Sequence, residues 1–259
     1  MADQPNSMVL NVQDLSKSFA GLHALRLVTF SVERGTITSL IGPNGAGKTT
    51  LINVITGVYS PDFGEIRFHG EDLAALPAHA VASKGIARTF QLEELFGSMT
   101  VLENAMTGCH GKSKSGMLSC GFAWSAARRE EKRIREEAME SLAMVGLEQR
   151  AFEPISRLPL GERKLVGIAR ALCTEPTLLM LDEPAGGLAA HEAERLVSLI
   201  HILLEKGLTI LLVEHNMPFV MSLSKKIVVL EAGVKIAEGI PEEVRNDPVV
   251  IKAYLGQEQ

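Results

Sequence analysis

Residues 36–56 carry the feature that most constrains the fold. An apolar run at 36–41 meets Gly42-Pro43-Asn44-Gly45-Ala46-Gly47-Lys48-Thr49, and a stretch of helical character, 49–56, follows directly. Strand, glycine-rich turn and helix in immediate succession commit this part of the chain to a strand–loop–helix unit, the building block of α/β sheets. The loop fits GxxxxGK[ST] in the context that pattern requires. Its glycines let the backbone turn N–H groups inward around phosphate oxygens, and the following helix adds the positive end of its dipole. Gly42, Pro43, Asn44, Gly45, Ala46, Gly47, Lys48, Thr49 and Thr50 are therefore candidate nucleotide-binding residues. Lys48 would act as a point charge on the β and γ phosphates, and the Thr49 hydroxyl as a ligand of Mg²⁺.

The rest of the chain extends the same pattern. Apolar strand-length runs at 177–181, 209–213 and 227–230 alternate with helical stretches at 165–172 and 191–206, which predicts a parallel sheet covered by helices. Shorter apolar segments at 9–12 and 25–32, with loop chemistry at Ala20 and Gly21, read as edge strands. Residues 64–70 alternate like a strand with one wet face. The middle differs: 110–121 is rich in Gly, Ser and Lys and reads as a loop, whereas 125–145 sets Ile134, Ala138, Leu142 and Val145 at helical spacing. The run RREEKRIREE within it mixes both signs on neighbouring turns and predicts a solvated helix face. The expectation is one domain over residues 1–259. An α/β core of 9–91 and 156–259 has an antiparallel β edge, and a helical subdomain at 92–155 interrupts it.

Composition excludes several classes. With 46% hydrophobic and 22% charged residues the chain is neither disordered nor fibrous. No apolar run reaches the roughly 18 residues needed to cross a bilayer. The first eight residues hold no basic segment leading into an apolar core, so a cytoplasmic location is expected. A net charge of −5 lacks the basic balance of a general nucleic-acid binder. The three cysteines, Cys109, Cys120 and Cys173, form no CxxC pair and suit reduced thiols.

A second chemical signal is Leu178-Leu179-Met180-Leu181-Asp182-Glu183, a buried-type strand ending in two carboxylates. Asp182 is placed to hold Mg²⁺ through its water shell, and Glu183 to polarise a water for in-line attack on a γ phosphate. No [NT]KxD guanine-reading motif occurs. Asp62-Phe63-Gly64 spells a kinase motif but lacks the catalytic loop and lysine strand that accompany it, and reads as a turn.

Beyond these, LGERKLVGIARAL at 160–172 completes a set of motifs in which the chain resembles the ABC ATPases from about residue 9 to residue 255. The resemblance implies a RecA-like P-loop NTPase core of ABC ATPase type, with ATP and Mg²⁺ as ligands. It implies that Phe19 in KSFAGLHAL stacks on adenine, and that Gln91 in ARTFQ senses Mg²⁺ and faces a membrane partner. Leu158, Pro159, Leu160, Gly161 and Glu162 correspond to the signature, residues 186–190 to the dimer loop, and His215 in LLVEHNM to the switch histidine beside the γ phosphate. Two positions depart from the pattern: Pro159 stands where serine is usual, and Ala189 where an acid or Asn is usual.

Finer features are similar to the LivG-type ATP-binding subunits of branched-chain amino-acid importers. They are GIARTFQ, the insertion with SGMLS, the LPLG signature, VEHNM and the terminal DPVVIKAYLG. That likeness implies a second ATPase subunit, two membrane permeases and an external solute-binding protein as partners, with the chain peripheral on the inner face of the membrane. Three rivals stay open at this level: a soluble ABC-type ATPase acting on ribosomes or DNA, a transporter subunit for a different small solute, and a nucleotide-binding subunit without turnover.

Overall fold

The computed structural model describes residues 8–89, 95–112 and 124–255. In chain order the strands are β1 (Met8–Phe19), β2 (Leu22–Glu33), β3 (Ile37–Ile41), β4 (Phe63–Phe68), β5 (Glu71–Asp72), β6 (Ile86–Arg88), β7 (Leu178–Asp182), β8 (Thr209–Val213), β9 (Lys226–Glu231) and β10 (Val234–Gly239). The helices are α1 (Lys48–Ile55), α2 (Ala78–Ser83), α3 (Val101–Met106), α4 (Trp124–Met144), α5 (Leu160–Leu172), α6 (Ala190–Glu205), α7 (Met217–Leu223), α8 (Pro241–Asn246) and α9 (Pro248–Leu255). The described residues fall into two compact units: those within 1–86, 177–186 and 196–259 form one, those within 87–176 and 187–195 the other.

The first unit is built on a sheet of order β10-β9-β3-β8-β7-β6, in which β3 runs parallel to both β8 and β9, and β7 parallel to β8. All five residues of β3 and of β8 are buried, Thr38, Ser39 and Thr209 included, so neither strand alternates between a wet and a dry face. Successive side chains of β9 leave the sheet on opposite faces. Val228 and Leu230 join Leu40, Leu51, Ile52 and Ile55 in one core. Ile227 and Val229 join Ile41, Val220, Val244 and Val250 in the other. A second, antiparallel sheet has the order β2-β1-β4-β5.

Strands β1 and β2 run to twelve residues each, well past the apolar segments at 9–12 and 25–32. Register shifts, and positive φ at Asp14 and Leu27, carry the pairing across polar residues that hide the strand pattern in the sequence. The hairpin between β9 and β10 turns through Ala232 (φ 45°) and Gly233 (φ 79°). Two positive φ angles in a row match the right-handed twist of the flanking strands. Of the expected turn at Asp62-Phe63-Gly64, Phe63 and Gly64 already belong to β4, and Asp62, in the bend before it, ties it to β1 by accepting from Ser18 N at 2.6 Å and Lys17 Nζ at 2.7 Å.

The second unit is helical. Thr100 caps α3 in a reciprocal capping box with Glu103. Helix α4 buries Ala138 and Leu142, while Lys132–Glu136 and Arg133–Glu137 pair at i,i+4 on its wet side, the solvated face that the alternating charges predict. Helix α5 takes in the whole of LGERKLVGIARAL, Leu160–Leu172, and the apolar run at 165–172 is its C-terminal part. Cys109 and Cys173 are buried, and Cys120 lies outside the described residues.

Candidate functional site

The loop from Gly42 to Gly47 is shaped by how closely other backbone approaches it. At Gly42 (φ 150°) a Cβ would lie 2.1 Å from the Leu230 carbonyl oxygen, and at Gly47 (φ 100°) 2.7 Å from that of Ala24. The β9–β10 turn supports the loop from outside, with Gly233 N donating to Ala46 O at 3.0 Å. Gly47, in the left-handed region, is the N-cap of α1, and no side chain caps that helix. Its first-turn N–H groups therefore have no intrahelical partner and are ready donors to an anion.

Gly42→Ala is expected to destabilise the fold by about 3 kcal/mol or more, a thermal midpoint lower by about 6–12 °C, because the group its Cβ would strike at 2.1 Å is the backbone carbonyl of Leu230, which cannot swing aside. A midpoint within about 2 °C of wild type would contradict this account of the loop.

Lys48 is buried, 8% exposed, and its ammonium donates back to the loop, to Gly42 O at 2.6 Å and Pro43 O at 3.0 Å. Burial pushes its pKa below the ordinary lysine value, while the carboxylates of Glu183 and Asp182 oppose that shift. A cleft of about 420 Å³ opens over the loop, lined by Asn44 to Thr50, by Leu22, His23 and Ala24 of β2, by Glu183 and by the Ala232-Gly233 turn.

Asp182 ends β7, and Glu183 follows with φ 47°, its N–H donating to Val213 O of the neighbouring strand at 2.8 Å. A left-handed non-glycine residue is strained, and such strain persists where the surroundings over-determine it. His215, just past β8, sets its Nδ1 3.8 Å from Glu183 Oε1 and 3.8 Å from Glu214 Oε2. The strand ends of β7 and β8 thus bring Glu183 and His215 together, the placement expected of ligand-handling groups at the carboxyl edge of a parallel sheet.

Not every sequence-predicted residue joins the cleft. Phe19 is 39% exposed and edge-on to Tyr59 at 5.1 Å, with Lys17 Nζ 5.4 Å from its ring; the cleft wall beside it is Leu22 to Ala24. Gln91 and the SGMLS segment lie outside the described residues.

The signature residues sit in the second unit. Leu158 is buried, and Pro159 is the N-cap of α5 with no side-chain cap. Leu160 is partly exposed, and Glu162 pairs with Arg150, which also holds Glu153. Gly161 is pressed by the Glu192 carboxylate, which a Cβ would meet at 2.3 Å. That same carboxylate accepts from Ala189 N at 2.9 Å, so the dimer-loop alanine keeps a backbone contact within its own chain. Sequence reasoning gave Glu214 no role, although an acid at the end of an apolar strand repeats the pattern of Asp182 and Glu183.

Among the described residues no group of three or more His, Cys, Asp or Glu side chains is arranged to hold a metal. Mg²⁺ needs no such cage, since it is usually bound by one or two protein oxygens together with substrate phosphates and water. The Thr49 hydroxyl beside Lys48 and the Asp182 carboxylate suit that mode.

Comparison with known proteins agrees with this geometry. The family model described as ABC transporter matches residues 25–186, and that described as branched-chain amino acid ATP-binding cassette transporter matches residues 234–259. The chain is 44% identical to the high-affinity branched-chain amino acid transport ATP-binding protein BraF of Pseudomonas aeruginosa, covering 96% of this chain and 98% of the relative. It is 41% identical to LivG of Escherichia coli over the same shares. A nucleotide-free ATP-binding cassette from an ABC transporter superposes with a TM-score of 0.86 at 35% identity, covering 96% of this chain and all of that one. A dimeric cassette bound to ADP and phosphate superposes with a TM-score of 0.76 at 25% identity, covering 90% of this chain and 98% of that one. With a phosphate-loop cleft, paired strand-end acids and relatives alike along nearly its whole length, the chain belongs to the ABC transporter ATP-binding cassettes, in their branched-chain amino acid family.

Proposed function

We propose that this chain is the ATP-hydrolysing subunit of an ABC importer that takes up branched-chain amino acids: leucine, isoleucine and valine. The observation that carries the substrate class is identity above 40% over 96% of the chain to transport proteins named for those amino acids. No helix among the described residues is long and apolar enough to cross a membrane. Transport therefore needs partners: a second ABC ATPase subunit, two membrane permeases and an external solute-binding protein, with this chain peripheral on the inner face of the membrane. The dimeric relative supports the paired arrangement. The acidic net charge argues against the rival that acts on nucleic acid.

The site residues have distinct tasks. Backbone N–H groups of residues 42–50, Pro43 excepted, and the Lys48 ammonium hold the phosphates, and Phe19 offers an aromatic face to adenine. Thr49, Asp182 and Gln91 would hold Mg²⁺, which would supply neutralisation of phosphate charge. Glu183 accepts a proton from water as the water oxygen bonds to the γ phosphorus; the bond to the bridging oxygen breaks and ADP leaves. His215 stabilises the charge on the transferring group. In the dimer, Leu158 to Glu162 of each subunit face the ATP held by the other. Pro159 and Ala189 then weaken the partner's site, since a hydroxyl and a polar side chain are missing there.

The substrate class is tested by reconstituting the subunit with its permeases and binding protein in vesicles. ATP is expected to drive uptake of labelled leucine, isoleucine and valine. ATP hydrolysis without uptake of any of the three would overturn the substrate assignment and leave the ATPase assignment standing.

A further inference from the structure

Glu214 is fully buried, at 0% exposure, and three backbone N–H groups converge on its carboxylate. One oxygen accepts from Ala185 N at 2.8 Å. The other accepts from His215 N at 2.9 Å and from Asn216 N at 3.2 Å. Ala185 belongs to the loop leaving β7, two residues after Glu183, whereas His215 and Asn216 belong to the loop leaving β8. Glu214 itself is held at the strand end by β3, its N–H donating to Leu40 O at 3.4 Å. A single acceptor-only group therefore fastens two loops that the sheet otherwise releases at its edge, and those loops carry the Glu183 carboxylate and the His215 ring 3.8 Å apart.

We propose that Glu214 is a positioning residue for ATP hydrolysis: its carboxylate clamps the two loops and so fixes the spacing of Glu183 and His215. This rests on the assignment of Glu183 and His215 to the reaction. The substitution Glu214→Gln keeps the shape but replaces one oxygen with an NH₂ group, which meets an N–H donor where an acceptor is needed. One loop is then released. A misplacement on the order of an ångström costs up to about a hundredfold in rate, so kcat of the assembled transporter should fall by roughly tenfold to a hundredfold. KM for ATP should stay within about twofold, because the phosphate loop is untouched.

A double-mutant cycle separates positioning from general structural damage. If Glu214 acts through the switch histidine, Glu214→Gln should cost less than about threefold in kcat when His215→Ala is already present. Equal losses in both backgrounds, unchanged kcat, or a loss confined to KM would each overturn the clamp. Should the Gln variant not fold, Glu214→Asp serves instead: it keeps the charge but is one methylene too short to reach both loops, and wild-type kcat in that variant overturns the proposal. If Glu183→Gln and His215→Ala themselves turn over normally, the site assignment fails first and the clamp with it. If they lose turnover while Glu214→Gln does not, only the clamp fails.

Discussion

Glu183→Gln is expected to lower ATP turnover of the assembled transporter by roughly a hundredfold to ten-thousandfold while leaving ATP affinity nearly unchanged, since that range is the usual cost of losing a general base. The amide preserves the volume of the carboxylate and its place at the end of β7, where Glu183 N is held by Val213 O at 2.8 Å. It cannot take the proton that water must lose. The strained φ of 47° is set by the backbone and is the same for both side chains, so the variant should fold and bind as the parent does. Steady-state hydrolysis and equilibrium binding of a fluorescent ATP analogue, measured on the same preparation, separate the two effects. Near wild-type hydrolysis would remove Glu183 from the role of base. A comparable loss of affinity would mean that the side chain holds nucleotide rather than activating water.

The core of this site was legible in the sequence because its chemistry is local. Residues 42–49 specify a loop whose glycines answer to two backbone carbonyls, and the apolar runs before Gly42, Asp182 and Glu214 are β3, β7 and β8, the three adjacent strands at the centre of the sheet. What was hidden depends on partners distant in sequence. Nothing near Glu214 announces that Ala185, 29 residues earlier, will donate to it. Likewise β1 and β2 run through polar and left-handed residues because each supplies the other with a ladder, a constraint no hydrophobic period records. Helices α7, α8 and α9 are short and two of them begin at proline, too brief for periodicity to single out, yet Val220, Val244 and Val250 from them complete the second core. Phe19 shows the opposite case, an aromatic whose motif is clear in the sequence while its ring packs on Tyr59.

Lys48→Ala should weaken ATP binding by about tenfold to a hundredfold, the equivalent of about 1.5–3 kcal/mol for a hydrogen bond to a charged group. The mechanism differs from that of Glu183, because the ammonium meets phosphate already in the ground state. Its present partners are the carbonyl oxygens of Gly42 and Pro43, so binding must exchange those two bonds for phosphate oxygens without moving the lysine out of the loop. Burial already lowers the lysine pKa, which means that the folded chain pays to keep this charge, in spite of the opposing pull of Glu183 and Asp182. Removing it relieves that cost while losing the two loop bonds, and the opposing effects should leave the thermal midpoint of the nucleotide-free protein within about 4 °C of wild type. Nucleotide-dependent stabilisation, by contrast, scales with the logarithm of ligand concentration over Kd and should shrink sharply. Thermal unfolding at a series of ATP concentrations reads both quantities at once. If the midpoint without ATP collapses, Lys48 is a structural brace of the loop; if the ATP-dependent rise is unchanged, the ammonium does not bind phosphate at all.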